Sequence, residues 1–266
     1  MNLIIDSREI ERINEAIENN KKEIEVSLDL NLTKTIVKLT TTGIIYEGKR
    51  IITTKIKRYD KCCYILMKNN LQKAQFFVNN NLYKLIPTSK NPILQISGTS
   101  MHKKEFVERI IQDKLKGNIL DSGTGLGYTS IGLAKTADKI TTIEIDKTVI
   151  EIAKFNPYSQ DLFTNKKIEL IIGDLSEEIK KFQNESFDNI ILDAGTPRSS
   201  GNFFSLNNYK EVYRVLKKHG ILYHYIPQHH IKRGRDFTSE ITLRLKKAGF
   251  EKINRNEKGS YVVCNK

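Results

Sequence analysis

The chain has 266 residues, enough for one large domain or for a medium domain with a small appendage, and enough to bury a proper core. No apolar run approaches the roughly twenty residues of a membrane span, and Met1-Asn2-Leu3-Ile4-Ile5-Asp6 lacks the basic segment and long apolar core of a signal peptide, so a cytoplasmic protein is expected. The net charge of +13 favours a polyanionic partner such as RNA, although lysine, asparagine and isoleucine abound along the whole chain, as AT-rich codons would produce.

Residues 6–20 carry Ile10, Ile13 and Ile17 among charges, the spacing of a short amphipathic helix with Asp6 or Ser7 as its N-cap. From Glu25 to Ile96 the pattern becomes strand-like. Val26-Ser27-Leu28-Asp29-Leu30 alternates, Thr35-Ile36-Val37 is β-branched, and Glu47-Gly48-Lys49 separates Ile44-Ile45-Tyr46 from Arg50-Ile51-Ile52 as a hairpin. Further strands are expected at Cys62 to Met67, Ala74 to Val78 and Leu82 to Ile86, making a small mainly-β domain over residues 1–97, closed by Pro87 and Pro92. Tyr64, Phe76, Phe77 and Tyr83 interleave with Lys68, Lys73 and Lys84, a mixture able to stack on single-stranded RNA, but core packing is the commoner use and is expected of Phe76 or Phe77. The three cysteines, Cys62, Cys63 and Cys264, form neither a disulfide framework nor spaced zinc pairs and read as buried strand residues.

Ser97-Gly98-Thr99-Ser100 breaks the strand pattern and opens a second domain, residues 98–266. Met101 and His102 precede a helix marked by Phe106, Val107, Ile110, Ile111 and Leu115. His102 is a candidate base or substrate-orienting group, against the plainer reading of a surface histidine. A strand, Asn118-Ile119-Leu120, then runs into Asp121-Ser122-Gly123-Thr124-Gly125-Leu126-Gly127, followed by helical periodicity. Alternate glycines Gly123, Gly125 and Gly127 let backbone approach a bulky ligand, and the next helix begins with unpaired N–H groups. A dinucleotide fingerprint would need its third glycine where Tyr128 stands, and the Asp121 carboxylate repels phosphate while suiting an amino group or sugar hydroxyls.

Lys139 to Glu144 reads as the second strand, ending in an acid about twenty residues beyond the loop, with Asp146 as an alternative cap for the next helix. Ile168 to Asp174 reads as the third, where Asp174 could equally cap a helix starting at Leu175. Phe187 to Leu192 is the fourth strand and ends in Asp193-Ala194-Gly195-Thr196-Pro197-Arg198. In a doubly wound α/β sheet the first and fourth strands flank the switch point, so the glycine loop and this segment converge on one crevice. In-line group transfer needs an acceptor held on axis, and Asp193 is the candidate holder. Lys217-Lys218-His219-Gly220 reads as a helix end with a glycine cap, Ile221 to Ile226 as the fifth strand, Phe237 to Lys247 as a helix, and Phe250 to Arg255 with Ser260 to Cys264 as a closing antiparallel hairpin. Lys232, Arg233 and Arg235 read equally as phosphate-binding groups or a solvated turn. His224, His229 and His230 lack cysteine or acid partners at metal-ligand spacing, so no metal site is expected.

With these residues in register, the chain from about residue 98 to its end resembles the class I methyltransferases that bind S-adenosylmethionine. The resemblance implies a Rossmann-like fold, with Glu144 on the ribose hydroxyls, Asp174 on the adenine amino group and Leu175 beside the ring. It is nearest to a poorly characterised archaeal group of predicted methyltransferases that join a small N-terminal β domain to this core. The matching segments are Asn156-Pro157-Tyr158-Ser159, Tyr213-Arg214-Val215-Leu216-Lys217 and Lys232-Arg233-Gly234-Arg235-Asp236. Their Asp-Pro-Pro-Arg segment corresponds to Asp193 with Pro197-Arg198, interrupted here by Ala194-Gly195-Thr196. The expected activity is methyl transfer from S-adenosylmethionine with RNA as acceptor, a small molecule or protein acceptor remaining open, as does the oligomeric state.

Two rivals share these residues. Aminopropyltransferases of the spermidine synthase type also place a small β domain before this fold and end the fourth strand in Asp-x-x-Asp-Pro. This chain has Thr196 for the second acid, and Asp121-Ser122 where that group favours a third glycine. A nonenzymatic RNA-binding scaffold is the other, opposed by three acids, Asp121, Glu144 and Asp174, aimed at one pocket.

Overall fold

The computed structural model describes residues 3–57, 60–101, 104–193, 202–226 and 237–266. They divide into two compact units, Met1–His102 with Glu151–Gln160, and Lys103–Ile150 with Asp161–Lys266.

The first unit is mainly β. Strand β1 (Ile4–Asp6) runs directly into helix α1 (Ser7–Glu18), whose first turn is capped by Asp6 accepting from the Glu9 N–H at 2.9 Å. Then follow β2 (Glu23–Val26), β3 (Thr35–Thr40), β4 (Gly43–Tyr46), β5 (Lys49–Ile52), β6 (Cys63–Met67) and β7 (Asn70–Lys73), arranged as β1-β6-β7-β5-β4-β3-β2. Ile10 and Ile13 of α1 share a buried core with Ile5, Val26, Val37, Ile44 and Ile51. The β4–β5 hairpin turns on Glu47 and Gly48, both at positive φ (49° and 72°), the two-residue geometry that matches strand twist. A second sheet, β11-β10-β9-β8, contains β8 (Gln75–Val78), β9 (Asn81–Ile86), β10 (Ile93–Ile96) and β11 (Thr99–Ser100).

Several expectations for this unit are corrected. The alternation from Val26 to Leu30 is not a strand. Pairing with β3 stops at Val26, beyond which Ser27 and Asp29 use their side chains in local turns, the Asp29 carboxylate accepting from the Thr33 N–H at 2.9 Å, and only an isolated bridge joins Asp29 to Ile4. Ser97 and Gly98, at φ 45° and 85°, do not end the sheet. They turn β10 back onto β11. Phe77 is exposed and Phe76 only half-buried, stacking on Phe155 at 5.8 Å, while Tyr64 and Tyr83 are the buried aromatics.

The second unit is α/β, with a Rossmann-like doubly wound sheet. The elements from residue 104 onward run α2 (Lys104–Gln112), β12 (Asn118–Ser122), α3 (Tyr128–Leu133), β13 (Lys139–Glu144), α4 (Lys147–Ala153, which ends in the first unit), α5 (Gln160–Thr164), β14 (Ile168–Ile172), α6 (Leu175–Glu178), β15 (Phe187–Leu192), α7 (Leu206–Val215), β16 (Leu216–Tyr225), α8 (Phe237–Ala248), β17 (Glu251–Asn256) and β18 (Tyr261–Asn265). The sheet order is β14-β13-β12-β15-β16-β18-β17, parallel except for β18, which is antiparallel to both its neighbours. Successive residues of a strand face opposite sides, so Ile119 and Leu120 of β12 seed two cores. Ile119 packs with Phe106 and Ile110 of α2 and Leu133 of α3, and Leu120 with Leu175, Tyr209, Val212, Ile241 and Leu245.

Lys217 to Gly220 do not cap a helix. Helix α7 ends at Val215, and the chain enters β16 at Leu216, paired with Phe187 across an irregular register. The basic-plus-glycine pattern is locally a helix stop, but Lys217 instead pairs with Asp188 at 2.9 Å, and a side chain at Gly220 would crowd Leu216 and the Asp188 carbonyl. No helix among the described residues is long and apolar enough to cross a membrane.

Candidate functional site

Central strands β12 and β15 are adjacent and parallel, so their C-terminal ends lie side by side. The loop leaving β12 holds Gly123, Gly125 and Gly127 at φ 84°, 56° and 81°, a region that disfavours any side chain. Each glycine has its own reason. A Cβ at Gly123 would overlap the carbonyl oxygen of Asp193, and one at Gly127 would press on Leu162 at 3.0 Å. Among the described residues, one at Gly125 would meet nothing nearer than the Gly123 oxygen at 3.8 Å, so this is the open face of the loop, where a ligand has room.

Asp121 is buried at the end of β12. Its Oδ2 accepts from the hydroxyls of Ser130 at 2.5 Å and Thr142 at 3.0 Å, and Thr142 is joined in turn to Thr124 at 2.7 Å. Burial raises the Asp121 pKa above the ordinary carboxylate range, and the two hydroxyl bonds offset part of that rise. Glu144, at the end of β13, is also buried. Its Oε2 accepts from the Gly125 N–H at 2.9 Å and its Oε1 from the Asp146 N–H at 3.0 Å. Burial raises this pKa too, against the same two backbone donors. Glu144 therefore straps the middle of the glycine loop to the neighbouring strand. Asp146 caps α4 through the Thr148 N–H at 2.9 Å.

Asp174 caps α6, its Oδ1 accepting from the Ser176 N–H at 2.8 Å and hydroxyl at 2.9 Å, and Leu175 lies in the core. Asp193 follows β15, half-buried, with its N–H donating to the Ser122 carbonyl at 2.9 Å. Asp121, the three glycines, Glu144 and Asp193 thus meet at the ends of three neighbouring strands. His102, Pro197, Arg198, Arg233 and Arg235 lie outside the described residues, as do Lys232, His229 and His230.

Sequence reasoning missed the hydroxyls of Ser130, Thr142 and Thr124 beneath the loop. The available signal was Thr141-Thr142, polar residues in the middle of a strand that is buried on both faces. It also gave His224 no role. His224 is fully buried in β16, its Nε2 lying 2.8 Å from the Tyr209 hydroxyl and its Nδ1 3.2 Å from the Leu192 carbonyl.

The domain description "Spermine/spermidine synthase domain" matches residues 115–254, just over half of the chain. The chain is 34% identical to an uncharacterised protein of Methanocaldococcus jannaschii, over 95% of its own length and 92% of the relative's. It is 33% identical over 104 residues to the polyamine aminopropyltransferase of Thermoplasma volcanium, 38% of this chain and 36% of that one. Over 143 residues it is 30% identical to putrescine N-methyltransferase 2 of Nicotiana tabacum, 49% of this chain and 40% of that one. Among solved structures, a spermidine synthase in complex with the transition-state analogue AdoDATO has the same fold over 72% of each chain, with a TM-score of 0.58 and 21% identity.

Proposed function

The chain belongs to the spermine/spermidine synthase domain family, and we propose that it transfers an alkyl group from an adenosyl sulfonium compound to an amine, with aminopropyl transfer from decarboxylated S-adenosylmethionine as the favoured reaction. The observation that carries this is the contact between Gly123 of the loop and the Asp193 backbone, which brings a ligand cradle and an acid together at one point.

The residues fit such a donor. Gly125 leaves the face of the loop open, and the Glu144 carboxylate beside it is a hydrogen-bond acceptor suited to ribose hydroxyls. Asp174 and Leu175 are assigned to the adenine, and buried Asp121 lends negative charge beneath the loop to a cationic ligand. When bound, the sulfonium supplies an activated carbon and departs as a neutral thioether. Asp193 does the protein's share at the acceptor. It accepts a hydrogen bond from the amine N–H, aims the nitrogen lone pair along the transfer axis and takes up the proton that the new C–N bond releases.

A second reading, methyl transfer from S-adenosylmethionine to an amine, is favoured by Asp121-Ser122 at the head of the loop and by the similarity to a putrescine N-methyltransferase. The relatives named above include a polyamine aminopropyltransferase and a putrescine N-methyltransferase, and an amine therefore takes the place of the RNA acceptor expected from net charge.

Incubation with putrescine and either donor separates the two. Release of 5′-methylthioadenosine from the decarboxylated donor establishes aminopropyl transfer, and release of S-adenosylhomocysteine from the other establishes methyl transfer. Neither product, across a panel of di- and polyamines, would end the proposal.

A further inference from the structure

Leu192 and Asp193 share one peptide unit, and both of its polar atoms are held by neighbouring strands. The N–H donates to the Ser122 carbonyl in β12 at 2.9 Å, and the carbonyl faces His224 Nδ1 in β16 at 3.2 Å. A carbonyl oxygen only accepts, so Nδ1 carries the proton. A neutral imidazole then leaves Nε2 as acceptor for the Tyr209 hydroxyl, 2.8 Å away. Both residues have 0% exposure, and the rings of Phe203 and Phe204 lie 5.9 and 5.6 Å from the imidazole. Burial lowers the His224 pKa to about 4, which keeps the ring neutral at physiological pH. Packing alone would be served by an apolar ring at this place without the cost of desolvating two polar side chains. What the polar pair adds is a direction: a fixed tautomer pointing one donor at the peptide that carries Asp193.

We propose that His224 is a positioning residue for Asp193, its Nδ1–H clamping the 192–193 peptide from β16 while Ser122 holds it from β12, with Tyr209 fixing the tautomer. The parallel pairing of Leu192 with His224 already ties this peptide to β16; the Nδ1–H adds a side-chain donor to the same carbonyl, which stiffens the peptide at the point where the Asp193 side chain departs from the backbone. The catalytic meaning of the clamp rests on the amine-transfer reading above.

The test compares His224→Phe, which keeps the ring and removes both bonds, with His224→Asn, whose Nδ2 can take the place of Nδ1 as donor, and with Tyr209→Phe. His224→Phe is expected to lower kcat by roughly 10-fold to 100-fold with KM for the donor changed less than about threefold, the signature of a misplaced rather than absent group. His224→Asn is expected to recover a substantial part, and Tyr209→Phe to fall between. Amide hydrogen exchange at Asp193 supplies a readout independent of turnover, and it is expected to accelerate in His224→Phe more than exchange at Ile191. A His224→Phe protein with wild-type kcat and unchanged exchange at Asp193 would overturn the clamp. A wild-type protein inactive toward every amine would instead sink the transfer reading, with exchange at Asp193 still reporting on the clamp.

Discussion

Gly123 and the carbonyl oxygen of Asp193 are packed so closely that a β-carbon on the glycine would occupy the oxygen's place. The loop after β12 and the acid after β15, far apart in sequence, are therefore one structural object. The contact also dictates which glycine of the loop is needed for folding and which for binding.

Gly123→Ala combines a left-handed backbone with this overlap, and it is expected to cost about 3 kcal/mol or more in chemical denaturation. Gly125→Ala carries only the backbone penalty, on the order of 1–2 kcal/mol, yet it places a methyl group on the open face of the loop. It should fold and lose donor affinity. Calorimetry with 5′-methylthioadenosine checks this, and wild-type affinity in Gly125→Ala would show that the ligand approaches elsewhere.

Asp121 is expected to separate stability from donor binding. Because burial already raises the Asp121 pKa, Asp121→Asn relieves a buried charge while keeping an oxygen for the hydroxyls of Ser130 and Thr142. At pH 7 the variant should be at least as stable as the wild type and bind a cationic donor more weakly. A large loss of stability would mean that the hydroxyl network requires the anion.

Glu144→Ala and Asp193→Ala should fail differently. The first removes the acceptor beside Gly125 and is expected to weaken donor binding about tenfold or more, the loss of charge-assisted hydrogen bonds. The second leaves donor binding near wild type and abolishes transfer. Equal loss of affinity in both variants would contradict the division of roles.

The pH dependence of stability has opposing contributions. His224 is depressed to about 4 in the fold from an ordinary value near 6.5, so the unfolded chain binds its proton first. Its contribution is fully present above pH 6.5 and is lost as pH falls toward 4, a difference of roughly 3 kcal/mol at about 1.36 kcal/mol per unit. Asp121 and Glu144 are raised in the fold and act with the opposite sign, favouring the folded state below their unfolded values and giving that up as pH rises through their folded ones. Subtracting the pH–stability curve of His224→Phe from that of the wild type isolates the histidine, and a flat difference between pH 4 and 6.5 would refute its neutral burial.

The second unit was legible where the chemistry is local. Strands β13 and β15 and the onsets of α6 and α8 fall where hydrophobic period and cap residues put them, since a capping aspartate such as Asp174 acts within its own turn. The misreadings have a common cause. Lys217 to Gly220 carry a helix-stop pattern, yet their partners are Asp188 at the start of β15 and the backbone of Lys266. Phe77 has strand chemistry with no partner pattern to tell its face, and it emerges exposed at the sheet edge.

From the sequence by itself came the order of the elements, the three glycines and the acids at the strand ends, because alternation, positive-φ turns and caps are written in residues only a few positions apart. Tertiary structure alone decided what those groups touch: Asp121 against the hydroxyls of Ser130 and Thr142, Glu144 against the Gly125 N–H, Gly123 against Asp193, and His224 against Leu192 and Tyr209. Each of these pairs joins separate elements of the chain, and only the packing of strands, loops and helices brings them within contact.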